Sequence, residues 1–255
     1  MKQLFTLLVV LALLVPGEAS AQERLRVGML DLLEQGGGAE AKSVVGEAYR
    51  RLGMAVVFVC LPSKRELECA AQGVTDASLV RTAAVSAEYP GLVRVPFPLF
   101  RYTLVAAYAR EDLDVRGPSD LVALRVGVDR GSVGTMQFCR RNNISVCALK
   151  DLGQGMRMLR EGRLDAVLEE QVLLEMAAKK AAVPLKCSLP LQRGYYYHWL
   201  NREHAGLAPR LACSLKSMYE DGTTARLLGG FSEMLKGLEV RDESLAGACG
   251  SGSEI

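Results

Sequence analysis

Three places in this 255-residue chain carry residue types that could do chemistry. Arg81 closes the apolar run Ala77-Ser78-Leu79-Val80; Asp129-Arg130-Gly131-Ser132-Val133-Gly134 is a small-residue loop between an apolar run and a helical pattern; Glu169-Glu170 follows the apolar run Ala166-Val167-Leu168. A guanidinium at the carboxyl end of a strand stands where open α/β sheets bind ligands; the alternative is a solvated edge residue. A strand-to-helix loop of small residues aims backbone N–H groups at whatever lies above the sheet and favours an anion; the alternative is a tight turn that needs glycine for packing alone. Neighbouring carboxylates can receive an ammonium or, with Asp165, exchange protons as general acid and base. Binding is the expected chemistry, and no enzyme is expected. Ser132 lacks a G-x-S-x-G frame, neither His198 nor His204 is near it in sequence, and Asp165 reads as a turn-capping residue and Glu169 as a surface one.

The elements that must position these groups alternate between strand and helix. Leu25 to Met29 alternates as a strand, and Ala39 to Leu52 places Val44, Val45, Ala48 and Leu52 on one helical face. Gln35-Gly36-Gly37-Gly38 between them has neither the length nor the lysine of a phosphate loop, and reads as a flexible approach to the helix. Strands follow at Val56 to Cys60 and up to Arg81, separated by a short helix with Leu67 and Ala70 inward that Gly73 ends. After strands at Leu92 to Val95 and Leu104 to Tyr108 the texture turns charged, and the pattern resumes with Leu124 to Val128, Ile144 to Ala148, a helix over Asp151 to Glu161, a strand to Leu168 and a helix over Gln171 to Ala182. Gly162-Arg163-Leu164-Asp165-Ala166 echoes Gly73-Val74-Thr75-Asp76-Ala77, which suggests two lobes of related plan. Tyr195 to Leu200 is a strand with Tyr195, Tyr197 and Trp199 on one face and Tyr196 and His198 on the other. These aromatics read as half-buried strand residues, with a cleft lining as the alternative. Helices over Pro209 to Tyr219 and Thr224 to Leu238 precede a small, polar tail from Arg241.

Composition bounds the rest. A net charge of +2 gives no electrostatic case for nucleic acid. Lys2, an apolar run from Leu4 to Val15 and Ala19-Ser20-Ala21 read as a secretory signal cleaved after Ala21. The run is shorter than the ~20 residues a membrane span needs. Gln22 rather than cysteine would then lead the mature chain, so no lipid anchor is expected there. Seven cysteines contain no Cys-x-x-Cys pair, so no zinc or other metal site is expected. Cys60 with Cys69 and Cys139 with Cys147 are the close pairs open to disulfide formation, although connectivity does not follow from spacing.

In order along the chain, Asp120-Leu121 before Arg125-Val126-Gly127-Val128, Gly131-Ser132, Gly162-Arg163-Leu164-Asp165-Ala166-Val167 and Tyr219-Glu220-Asp221-Gly222-Thr223 resemble the extracytoplasmic solute-binding proteins of family 3, the type that delivers amino acids to ABC importers. The resemblance implies an α/β, bilobal, type II periplasmic-binding-protein-like fold with a two-strand hinge. Residues 1–21 would be the signal, 22–108 with 196–238 lobe 1, 109–195 lobe 2 and 239–255 a flexible tail. It implies a periplasmic monomer that captures a small polar, amino-acid-like or carboxylate ligand, with an inner-membrane permease as partner and no cofactor; a bilobal sensory module is the alternative. Ser132 with the neighbouring backbone at Val133 would hold a carboxylate, and Glu170 an ammonium. The family's Thr-x-x-Arg clamp is missing, since its neighbourhood reads Ser86-Ala87-Glu88. Arg81 and Arg65 are the expected substitutes in a divergent branch, with Arg94 outward. If Arg81 lines an open cleft, replacing it weakens binding with little effect on folding.

Overall fold

The computed structural model describes residues 24–35, 38–238 and 249. β1 (Leu25–Leu30) passes through a 3-10 turn (Asp31–Gln35) into α1 (Gly38–Arg51), β2 (Val56–Leu61), α2 (Ser63–Ala71) and β3 (Ala77–Thr82). A single helical turn, α3 (Val85–Glu88), and a short β4 (Leu92–Arg94) precede the long β5 (Phe100–Tyr108). Then come β6 (Val126–Asp129), α4 (Val133–Arg141), β7 (Val146–Leu149), α5 (Leu152–Arg160), β8 (Ala166–Glu170), α6 (Gln171–Ala181) and β9 (Lys186–Cys187). β10 (Gln192–Asn201), α7 (Ala208–Glu220), α8 (Thr223–Leu228) and a 3-10 segment (Gly229–Leu235) complete the described chain.

The local rules behind these elements are simple. α1 buries Val44, Val45 and Ala48 on the face its periodicity predicts. α2 buries Leu67 and Ala70, and Gly73 beyond it takes φ 76°, a conformation that only glycine adopts at no steric cost. α5 is capped by Asp151, whose carboxylate accepts the Gln154 N–H at 2.7 Å.

The sheet runs in the order β2-β1-β3-β10-β5-β8-β6-β7. β1 is parallel to β2 and β3, and β6 is parallel to β7 and β8. Between these parallel sets lie β10 and β5, antiparallel to each other. One hydrophobic core joins Val27, Val44, Leu79, Leu200 and Leu215, and Phe100 at the start of β5 belongs to it. From Leu104 the same strand feeds two other clusters, one with Val126, Phe138 and Leu168 and one with Leu149, Met156 and Val167. β5 therefore leaves one lobe and enters the other, and β10 returns: its first half pairs with β5 and its second half with β3. This is the bilobal α/β architecture expected from the sequence.

Several expectations need correction. The last helix does not run on to Leu238: α8 stops at Gly229, whose φ of 52° breaks the α-helical path, and a 3-10 turn continues. The strand expected from Leu124 begins at Val126, because the Leu124 N–H is already engaged in a turn to Leu121 O. Cys60, Cys69, Cys139 and Cys147 are all free thiols, and the disulfide joins Cys213 on α7 to Cys249. Gly36 and Gly37, the signal segment and the rest of the tail lie outside the described residues.

His198 ties β10 to the first lobe. Its Nδ1–H donates to Leu79 O at 3.0 Å, leaving Nε2 to accept from the Tyr49 hydroxyl at 2.9 Å. Burial holds its pKa down, at about 4 against an ordinary 6.5. Below pH 6.5 the unfolded chain takes up a proton that the folded chain refuses. The stability this site contributes is therefore complete above pH 6.5 and is lost as pH falls toward 4, by about 3 kcal/mol in total. The stability gap between wild type and His198→Gln is expected to narrow by about 1.4 kcal/mol per pH unit across that window. Urea denaturation of both proteins from pH 7 to pH 4.5 measures it. A gap that stays constant would show that the folded histidine takes up the proton.

Candidate ligand-binding cleft

Where the lobes face each other they enclose a cleft of about 850 Å³, open mouth included. One wall comes from the first lobe (Leu30, Leu67, Val80, Arg81, Thr82, Val85), the other from the loop Gly131 to Gly134 together with Glu170, Val172 and Leu173. Phe100 and Tyr196 on the two crossing strands and Leu228, Phe231 and Met234 near the C-terminus close its deep side. Most of this surface is apolar, which the sequence did not suggest: the C-terminal residues are remote in sequence and read only as part of the last helix.

Arg81 is at the cleft, at the end of β3, but it is already paired. Its Nε and Nη2 donate to Glu66 Oε2 at 2.9 and 2.5 Å, and Nη2 also donates to Ser63 O at 2.8 Å. The two side chains are 9% and 1% exposed. α2 presents Glu66 on the same face as Ala70, four residues on, and Gly28 makes room for it: a Cβ there would lie 2.9 Å from Glu66 Oε1. The expectation that replacing Arg81 leaves folding untouched therefore fails, because its loss would strand a buried carboxylate. The signal was available: an acid on the apolar face of a helix requires a cationic partner. Arg65, one residue before Glu66, points outward, is exposed and does not line the cleft. Arg94 is exposed, as expected, and stacks over the Tyr197 ring at 4.6 Å.

Ser132 and Val133 open α4 at the cleft. The loop before them is cinched from within: Asp129 accepts the Gly131 N–H on its carboxylate at 2.7 Å and the Ser132 N–H on its carbonyl at 2.9 Å. Burial lifts the Asp129 pKa to about 6. The Ser132 hydroxyl donates to Glu169 Oε2, and Thr135 donates to Glu169 Oε1 at 3.1 Å. Glu169 is thus no surface residue. It is fully buried, because β8 carries it under the first turn of α4, and burial beside the Glu170 carboxylate raises its pKa well above the usual range. Glu170 is next along the strand, 8% exposed and lining the cleft. Asp165 is committed elsewhere, to Arg125 at 2.9 Å and Arg110 at 3.3 Å, and the Arg125 guanidinium holds its pKa well below the usual carboxylate range.

Direct contacts join the lobes across the cleft mouth. Arg81 Nη1 donates to Gly131 O at 3.4 Å, Gln137 Nε2 to Ala84 O at 3.1 Å, and Arg140 pairs with Glu88 at 2.5 Å. Val133 packs into a cluster with Leu67, Val85 and Trp199. The structure is that of a closed cleft.

No family model matches the chain, and no curated protein sequence does. Solved structures do. An arginine-binding protein from T. maritima (a P235GK mutant) superposes with a TM-score of 0.68 at 18% identity, over 82% of this chain and 95% of that one. A histidine kinase sensor domain similar to periplasmic binding proteins gives 0.71 at 14% identity, over 82% and 96%. An amino-acid ABC transporter substrate-binding protein from Streptococcus pneumoniae, bound to L-arginine, gives 0.66 at 16% identity, over 83% and 95%. The chain has the bilobal fold of these periplasmic-binding-protein-like molecules.

Proposed function

We propose that this chain is an exported solute-binding protein that captures one small organic molecule between its lobes and presents the closed form to a membrane partner, most simply an ABC importer. The supporting observation is the cleft itself: an apolar cavity of about 850 Å³ lined from both lobes and both crossing strands. An apolar lining with a few convergent polar groups is the character of a small-molecule site. Closing such a cleft couples occupancy to shape, which a membrane partner can read. Ser132, Val133 and Glu170 form the second-lobe side of the site and Arg81 the first-lobe side; Arg65 has no part in it. Cleavage after Ala21 would release the protein into the periplasm as a monomer with Gln22 leading.

Native mass spectrometry of the protein recovered from its own cell envelope is expected to show one small molecule per chain. Adding that molecule at about 100 times Kd should stabilise the protein by about 2.7 kcal/mol. An empty protein with no response to a broad metabolite panel would overturn the reading. The likeness to a histidine kinase sensor domain supports a second reading, in which the membrane partner is a receptor. Deleting the gene separates the two: loss of uptake of the bound molecule marks import, and loss of a response with intact uptake marks sensing.

A further inference from the structure

We infer that the occupant of the cleft is an organic cation, an ammonium carried on an apolar body with no carboxylate of its own. The inference rests on the cleft being a ligand site, as proposed above, and concerns the charge that site accepts.

Arg81 and the loop Gly131 to Val133, two features that could hold a ligand carboxylate, already have partners inside the protein. Arg81 directs Nε and Nη2 to Glu66 and further N–H groups to Ser63 O and Gly131 O. Its charge is balanced by a carboxylate buried behind it, so the pair offers an incoming anion little net attraction. At the start of α4, the Gly131 and Ser132 N–H groups bond Asp129, the Val133 N–H bonds Gly131 O, and the Ser132 hydroxyl goes to Glu169. An anion arriving there would meet the Glu170 carboxylate on the cleft wall, with Asp129 and Glu169 buried behind the loop.

The charged residues of the cleft wall are Arg81, Glu40 and Glu170. With Arg81 balanced by Glu66, the wall carries two acids and no free cation among the described residues. Glu40 Oε2 is buried without a hydrogen-bond partner there, an arrangement that costs free energy until a donor arrives. Glu170, 8% exposed, stands against Glu169, whose ionisation is suppressed by burial and by Glu170. An ammonium would satisfy one or both wall carboxylates with charge-assisted bonds. The remaining surface, which includes Leu67, Val85, Phe100, Val133, Phe231 and Met234, suits hydrocarbon or an aromatic ring.

The test uses matched series: 2-phenylethylamine, isoamylamine and agmatine; the acids 3-phenylpropionate and isocaproate; and the amino acids phenylalanine, leucine and arginine. Each is titrated calorimetrically into the whole mature protein after unfolding and refolding to remove any co-purified molecule. At least one amine is expected to bind, and at least tenfold more tightly than its matched acid or amino acid. Glu170→Gln should then weaken amine binding at least tenfold. If that variant fails to fold, Glu40→Gln is expected to weaken the same amine by a smaller but measurable factor. Preferred binding of an acid or an amino acid would overturn the inference and leave the cleft as a ligand site. Equal binding of amines to wild type and both variants would also overturn it. Should no series bind, and a broad neutral panel also fail, both this inference and the ligand-capture reading fall; a neutral hit alone overturns only the charge assignment.

Discussion

Glu66→Ala is expected to lower the stability of the folded chain by about 3–5 kcal/mol, the usual result of removing one partner from a buried ion pair. The cause is the charge left behind. Arg81 is 9% exposed and bonded at 2.5 Å, so without Glu66 a guanidinium would stay in a largely dry site with only carbonyl and hydroxyl oxygens for partners. Arg81→Met should cost less, because Glu66 can take up a proton and become neutral whereas arginine cannot lose one. The double replacement Glu66→Leu, Arg81→Met is expected to lie well above Glu66→Ala in stability, since it removes both charges and keeps the volume. Urea denaturation of the four proteins at pH 7, with slopes compared to confirm a common unfolded state, measures this ranking. A Glu66→Ala cost below 1 kcal/mol would mean that water reaches Arg81 in solution and that the pair does not set the shape of the cleft.

Gly131→Val should abolish closure while leaving both lobes folded. A Cβ on Gly131 would lie 2.5 Å from Lys64 N, and closer still to Ser63 Oγ, in the first turn of α2 across the cleft. Lys64 N is backbone and cannot retreat without disturbing the start of that helix, and the φ of Gly131 is not in the left-handed region, so the substitution is not strained within its own lobe. The lobes must therefore part. At least a tenfold loss of ligand affinity is expected, because the two walls no longer reach the ligand together. Thermal unfolding of the ligand-free protein should shift by only a few degrees, and small-angle scattering should show that the variant no longer contracts on adding ligand. Wild-type affinity in the variant would place the binding site within one lobe. Gly134 is a milder case: its Cβ would lie 2.8 Å from Thr82 Oγ1, at the tip of a side chain that can rotate.

The fold was largely legible in the sequence because its signals are local. Val44, Val45 and Ala48 mark α1 by helical spacing, Gly73 and Gly162 mark helix ends at positive φ, and the paired Gly-x-x-Asp segments mark equivalent corners of the two lobes. The residues that line the cleft were legible in position but not in partnership. Arg81, Ser132, Val133 and Glu170 were singled out, and all four line the cleft. What joins them depends on tertiary proximity that no spacing encodes. Glu169 looks like a surface residue beside Glu170, yet it lies within β8 and is covered because the first turn of α4 sits against it. Arg65 lies off the cleft for a simpler reason: consecutive helical residues point about 100° apart, so Glu66 facing inward turns Arg65 away. The disulfide was invisible because Cys213 and Cys249 are separated by 36 positions, while the closer cysteines sit on elements that hold them apart.

The order of the strands bears on how this molecule assembles. β10, residues Gln192–Asn201, lies between β3 of the first lobe and β5, in the middle of the whole sheet. Everything needed for the second lobe's parallel set, β6 to β8 with α4 and α5, is contiguous in the chain. A growing chain can therefore form the second lobe from neighbouring contacts, whereas the first lobe must hold β3 with an open edge until a strand more than a hundred residues later arrives. Loop closure over that distance is slow relative to local pairing. The second lobe is therefore expected to complete its sheet first and the first lobe to complete its own late. β10 also carries His198 and, with Tyr196, part of the cleft lining, so the cleft is complete only once β10 has paired with both β3 and β5.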